Sequence, residues 1–207
     1  MTLPRIALLI SGCGSNMEAI LRSVDQGVLH RRCTVCGVIA NCSDAPGLDR
    51  ARAFGVETRV VPSDGLGTSA YGRRLLATLS EWKPDYIVLA GFMRIISPEL
   101  VAAYPGRIVN IHPADTAAYQ GPDGYGWAAN QKLPETMITV HLVDEGIDTG
   151  PILRQRHVSL KGARTKAEIA RRGLSVEHEF YSECLAELLD GRYADLVEGM
   201  MPRAGRW

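Results

Sequence analysis

The 207-residue sequence predicts an α/β fold: a Rossmann-like, open and mostly parallel sheet with helices on both faces. Three observations carry this. Ile6-Ala7-Leu8-Leu9-Ile10 and Tyr86-Ile87-Val88-Leu89-Ala90 are unbroken apolar runs, as strands covered on both faces require. Segments with helical spacing separate such runs, and strands alternating with crossover helices imply parallel pairing. A glycine-rich turn, Ser11-Gly12-Cys13-Gly14-Ser15-Asn16, joins the first strand to the first helix.

After that turn, Met17, Ile20, Leu21 and Val24 recur at helical intervals. A strand is expected over 34–40, a helix over about 45–54, and a short strand over 58–61. A polar, glycine-rich loop then leads to a helix over 70–81, which Lys83-Pro84-Asp85 closes. The run 86–90 is the fourth strand. Ile108-Val109-Asn110-Ile111 is the fifth and ends at His112-Pro113. Residues 136–143 alternate as a half-buried strand does, 144–151 form a turn-rich loop, and 152–159 are again strand-like. Thr165 with Glu168 makes a capping box. The helix it opens runs to about Asp190, and Gly173 is a candidate bend. The tail from Gly191 is short and expected to be peripheral. No repeat or linker divides the chain, so residues 1–207 are read as a single domain with its core over about 5–190.

Composition narrows the function classes. Lys+Arg and Asp+Glu both total 23, and this balance lacks the basic excess typical of nucleic-acid binding. No apolar run approaches the ~20 residues that span a bilayer, and the start has no signal-peptide pattern. The five cysteines, odd in number, fit reduced thiols and a cytoplasmic protein. The expected partners are therefore small molecules, with neither nucleic acid nor membrane.

Ligands of open parallel sheets bind beyond the carboxyl ends of the strands. That rule selects the turns after Ile10, Ala90 and Ile111. In the first, glycines at a helix start let an anion approach the backbone N–H groups, and Ser15 and Asn16 add donors. A tight turn capped by Ser15 is the plain alternative. The third glycine of a dinucleotide fingerprint is missing, since Met17 stands there, and no P-loop lysine follows. A phosphorylated metabolite fits better than a whole nucleotide. In the third turn, Asn110 and His112 share one side of a strand. Together they offer an oxyanion donor and a general acid/base. An acid from the 144–150 loop beside His112 is expected to raise its pKa. The EF-hand ligand spacing is absent from that loop. Cys33-x-x-Cys36 lacks two further zinc ligands at recognisable spacing, so buried thiols and no metal are expected. Glu177-His178 and His141 taken alone are core or surface residues.

Four segments taken together resemble the folate-dependent formyltransferases. They are Ile10-Ser11-Gly12-x-Gly14-Ser15-Asn16, the run Leu89-Ala90-Gly91-Phe92-Met93-Arg94-Ile95-Ile96-Ser97-Pro98, Asn110-Ile111-His112-Pro113, and Val140-His141-x-Val143-Asp144-Glu145-Gly146-Ile147-Asp148-x-Gly150-Pro151, with Glu177-His178 at the matching place in the last helix. The resemblance implies the formyltransferase fold, and formyl transfer from 10-formyltetrahydrofolate as co-substrate, without a metal. Within the family it points to the purine-biosynthesis branch, whose acceptor is glycinamide ribonucleotide. It implies Asn110, His112 and Asp148 as catalytic residues, and Gly14, Ser15, Asn16 and Glu177 as substrate-binding residues. Met93, Arg94, Ile95, Ile96, Asn110 and the 144–148 loop (Asp144, Glu145, Gly146, Ile147, Asp148) would bind the folate. The sequence departs from the family at Ala114-Asp115-Thr116-Ala117, over 121–127, at Thr68 and at Leu174. These positions concern the walls of the site, so a different, possibly phosphorylated, amine acceptor is the first alternative. A formyltetrahydrofolate hydrolase and a non-catalytic binding relative are the others.

Overall fold

The computed structural model describes residues 2–202; the end of the tail, 203–207, lies outside the described residues. Seven strands form one sheet in the order β3-β2-β1-β4-β5-β6-β7. They are β1 (Arg5–Ile10), β2 (Thr34–Ala40), β3 (Thr58–Val60), β4 (Tyr86–Leu89), β5 (Ile108–His112), β6 (Glu135–Leu142) and β7 (Ile152–Ser159). The first five pair in parallel, and β6 and β7 run antiparallel at one edge.

Period-two alternation sorts the core into two layers. Ile6, Leu8 and Ile10 of β1 pack with the helices α1 (Ser15–Gln26), α2 (Gly47–Ala53), α5 (Gly124–Asn130) and α6 (Lys166–Leu189). Ala7 and Leu9 face α3 (Thr68–Trp82) and α4 (Pro98–Ala103). Cys33 and Cys36 fall into opposite layers, so the C-x-x-C spacing does not make a shared site. Burial pushes the Cys33 thiol up to about 11. Among the described residues no helix is long and apolar enough to cross a membrane.

The capping box forms as expected: Thr165 accepts the Glu168 amide, and the Glu168 carboxylate accepts the Thr165 amide. Gly173 does not interrupt α6, which runs unbroken from Lys166 to Leu189. The glycine instead makes room for Tyr125, whose Oη would lie 2.1 Å from a Cβ at this position. Two short helices, α4 and α5, appear where no element was expected. The tail adds a helix that the sequence did not predict. This is α7 (Ala194–Gly199), whose Val197 packs against the core and closes on Gly106.

The fold brings the strand ends to one place. Tyr181, fully buried on α6, directs its hydroxyl to the carbonyls of Leu89 and Val109, both 3.0 Å away, and so fixes the ends of β4 and β5 against the helix layer. Ser11 gives its amide to the Gly91 carbonyl (3.1 Å), and its hydroxyl accepts the Met93 amide (2.8 Å). The turns after β1 and β4 are thereby joined.

Candidate active site

A cleft of about 690 Å3 opens along these turns, lined by most of the residues the sequence singled out. At one end stands the start of α1. Gly14 occupies the left-handed region at φ 67° and caps the helix without a side-chain hydrogen bond. A side chain at Gly14 would be strained in that conformation and would meet Met17 Cε at 2.8 Å. Ser15 is the first helical residue, so it does not cap the helix. The first amides of α1 have no carbonyl from a preceding helical turn, and here no cap side chain takes them. This is the geometry of an anion site.

At the middle, β5 and the loop after β6 meet. The β5–β6 register sets Asn110 opposite His141. Asn110 Nδ2 donates to Asp148 Oδ1 (3.2 Å) and lies 3.3 Å from His141 Nε2. Asp148 Oδ2 is 3.4 Å from His112 Nδ1 and accepts the Gly121 amide at 2.9 Å. Asp148 sits at φ 52°, a left-handed conformation uncommon outside glycine. Asp144 organises the loop by accepting the Gly146 amide (3.0 Å) and the Thr149 hydroxyl (2.7 Å).

Burial pushes the Asp148 carboxyl up, but the bond to His141, the Gly121 amide and the charge of His112 outweigh it. The net displacement is below the usual carboxylate value. His112 departs from expectation. Burial lowers its pKa by more than Asp148 and the Tyr119 carbonyl raise it, so its pKa lies below, not above, the ordinary imidazole value. The ring is 4% exposed, and desolvation of its charged form decides the outcome.

At the far end, Met93 and Ile95 are exposed at 69% and 55%, Ile147 is half-exposed, and Ile96 is buried. All four line the cleft, as does Arg94, which holds the Leu66 carbonyl at 3.0 Å and covers the Tyr71 ring. Glu145 does not line the cleft; Asp144, Gly146, Ile147 and Asp148 do.

Glu177 is buried at the α1 end. It accepts Asn16 Nδ2 at 2.5 Å and the Tyr125 hydroxyl. Asn16 therefore turns its donor to Glu177, not to the anion site where the sequence placed it. The divergent segment is anchored rather than loose. Thr139 donates to the Ala114 carbonyl (2.7 Å), and Gln155 donates to Asp115 (3.1 Å). Beyond them Tyr119 stacks on Trp127, ring centroids 4.9 Å apart. Sequence reasoning missed His141 as a cleft residue, and it placed Tyr125 only within a divergent wall segment, without its contact to Glu177. A strand partner and a helix contact bring them there, and neither leaves a local motif.

Comparison with known proteins agrees with this geometry. A family model described as formyl transferase matches residues 4–185. The chain is 36% identical over 188 residues to phosphoribosylglycinamide formyltransferase of Escherichia coli (strain K12), covering 90% of this chain and 88% of that protein. It is 32% identical over 186 residues to the enzyme of the same name from Bacillus subtilis (strain 168), covering 89% and 94%. The crystal structure of glycinamide ribonucleotide transformylase 1 from Symbiobacterium toebii superposes with a TM-score of 0.86 at 34% identity, over 92% of this chain and 89% of that one. With residues 4–185 matched, all seven strands and the cleft included, the chain belongs to the formyl transferase family.

Proposed function

We propose that this protein transfers the formyl group of 10-formyltetrahydrofolate to the amine of glycinamide ribonucleotide in de novo purine biosynthesis. The observation that carries the reading is the meeting of Asn110, His112 and Asp148 midway between an anion-binding helix start and an apolar-rimmed pocket. The phosphate would rest on the amides of Gly14 and Ser15. The pterin would enter between the 93–96 turn and the 144–148 loop.

The amine nitrogen attacks the formyl carbon, giving a tetrahedral carbon with a negative oxygen and a positive nitrogen. Both ring nitrogens of His112 face acceptors, Asp148 Oδ2 at 3.4 Å and the Tyr119 carbonyl at 3.1 Å. Its buried, neutral ring suits acceptance of the proton from the new ammonium. The imidazolium so formed keeps the bond to Asp148 and lends its positive charge to the oxyanion. It then gives the proton to N10 of the folate as the carbon–N10 bond breaks. The Asn110 amide exchanges its contact with His141 for one to the oxyanion, a type of donor worth about 10²–10³ in rate.

The test is release of tetrahydrofolate from 10-formyltetrahydrofolate with and without glycinamide ribonucleotide. Release that depends on this amine supports the reading. Release without any amine identifies a hydrolase, and folate binding with no transfer to this amine identifies a different acceptor.

A further inference from the structure

We propose that Tyr125 is a specificity-determining residue for the acceptor: its hydroxyl, with Asn16 on the other side, fixes the Glu177 carboxylate in the orientation that receives the acceptor's hydroxyl groups. The proposal rests on the acceptor reading above.

Four observations support it. Glu177 is 4% exposed, and its two oxygens are held by two different donors, Asn16 Nδ2 on Oε2 and the Tyr125 hydroxyl on Oε1. Neither hydrogen-bond partner is a Lys or Arg, so these two hydrogen bonds orient the group. Burial pushes the Glu177 pKa up; of the three influences that oppose it, the bond from Tyr125 is the largest, ahead of the bond from Asn16 and the charge of His178. Removing this donor favours the protonated acid, which offers one fewer acceptor oxygen. Finally, Asn16 is more than nine-tenths buried, lines the cleft, and its Oδ1 has no hydrogen-bond partner among the described residues. An unpaired acceptor beside an oriented carboxylate calls for a ligand that brings hydrogen-bond donors, such as a diol. It does not suit a phosphate dianion.

The approach of Tyr125 depends on Gly173, one turn before Glu177 on α6. A methyl at Gly173 would lie 2.1 Å from Tyr125 Oη and 2.3 Å from its Cζ, so the ring would have to leave. Two substitutions on different elements therefore break the same bond. Gly173→Ala in a helix interior favours the helix itself, which separates loss of this contact from loss of the fold.

The experiment titrates glycinamide ribonucleotide, and separately tetrahydrofolate, into the wild type, Tyr125→Phe, Gly173→Ala and the double variant, with thermal melts of each. We expect each single variant to weaken the ribonucleotide about tenfold or more, the loss typical of a hydrogen bond to a charged group. The double variant should be no weaker than the worse single, and tetrahydrofolate affinity should stay within about twofold, since the variants leave its pocket untouched. Ribose 5-phosphate and 2-deoxyribose 5-phosphate give a second readout: the preference of the wild type for the former should shrink in Tyr125→Phe. Unchanged ribonucleotide affinity in Tyr125→Phe overturns the proposal, as does an equal loss for both ligands. A wild type that neither binds nor formylates the ribonucleotide overturns the acceptor reading first, and this inference with it.

Discussion

Asp148 Oδ2 lies 3.4 Å from His112 Nδ1, while the opposite nitrogen of the same ring, Nε2, faces the Tyr119 carbonyl at 3.1 Å. The neutral ring can donate to one of these acceptors and the imidazolium to both. Burial nonetheless keeps the pKa below the ordinary imidazole value of 6.5. An NMR titration of the His112 ring should give a midpoint below that value. Asp148→Asn removes the largest influence raising it, so the midpoint should fall further. The sign for stability follows from linkage. The folded state favours the neutral ring, so its contribution is complete above pH 6.5 and is lost as the pH falls through the lower, folded-state midpoint. A rise in the Asp148→Asn midpoint would contradict this account.

His112→Ala should reduce single-turnover formyl transfer by about 10²–10⁴, the range for a positioned acid/base. Far-UV circular dichroism should be unchanged. A near-normal rate would falsify the assigned role.

Gly14→Ala places a side chain in the left-handed region, which costs roughly 1–2 kcal/mol, and sets its Cβ 2.8 Å from Met17 Cε. The urea midpoint should drop accordingly. Affinity for inorganic phosphate should fall as well, because the first amides of α1 are re-aimed.

Tyr181→Phe removes the hydroxyl directed at the Leu89 and Val109 carbonyls inside a fully buried site. Carbonyls left unsatisfied there should cost about 1–3 kcal/mol in denaturant unfolding. A change below a few tenths would show that the strand ends do not need this pin.

Thr165→Ala breaks the capping box at the head of α6, and Thr165 is not part of the lining of the cleft. A loss of about 1 kcal/mol in stability is expected, with an unchanged rate of formyl transfer.

The legible parts of this molecule are those with a local cause. The apolar runs of β1 and β4 are buried on both faces, and the Thr165–Glu168 spacing states a helix start outright. α5 leaves no such trace, because Gly-Tyr-Gly-Trp-Ala-Ala-Asn has two glycines and no apolar period. It stands on the left-handed Asp123, whose carboxylate accepts the Gly126 amide, and on the contact of Tyr125 with α6. His141 was ambiguous because an antiparallel register, not a motif, sets it beside Asn110. The direction of the His112 shift was misread for a related reason. The neighbouring acid is visible in sequence, whereas the depth of burial that outweighs it is not.

The paired bonds of Ser11, one given to Gly91 and one taken from Met93, make position 11 belong to both halves of the cleft at once. Ser11 touches two loops whose residues lie some eighty places apart in the chain. Loss of this one hydroxyl would release the Met93 amide from the turn after β1, so a survey of variants that scores the two turns separately would find them inheriting the same defect.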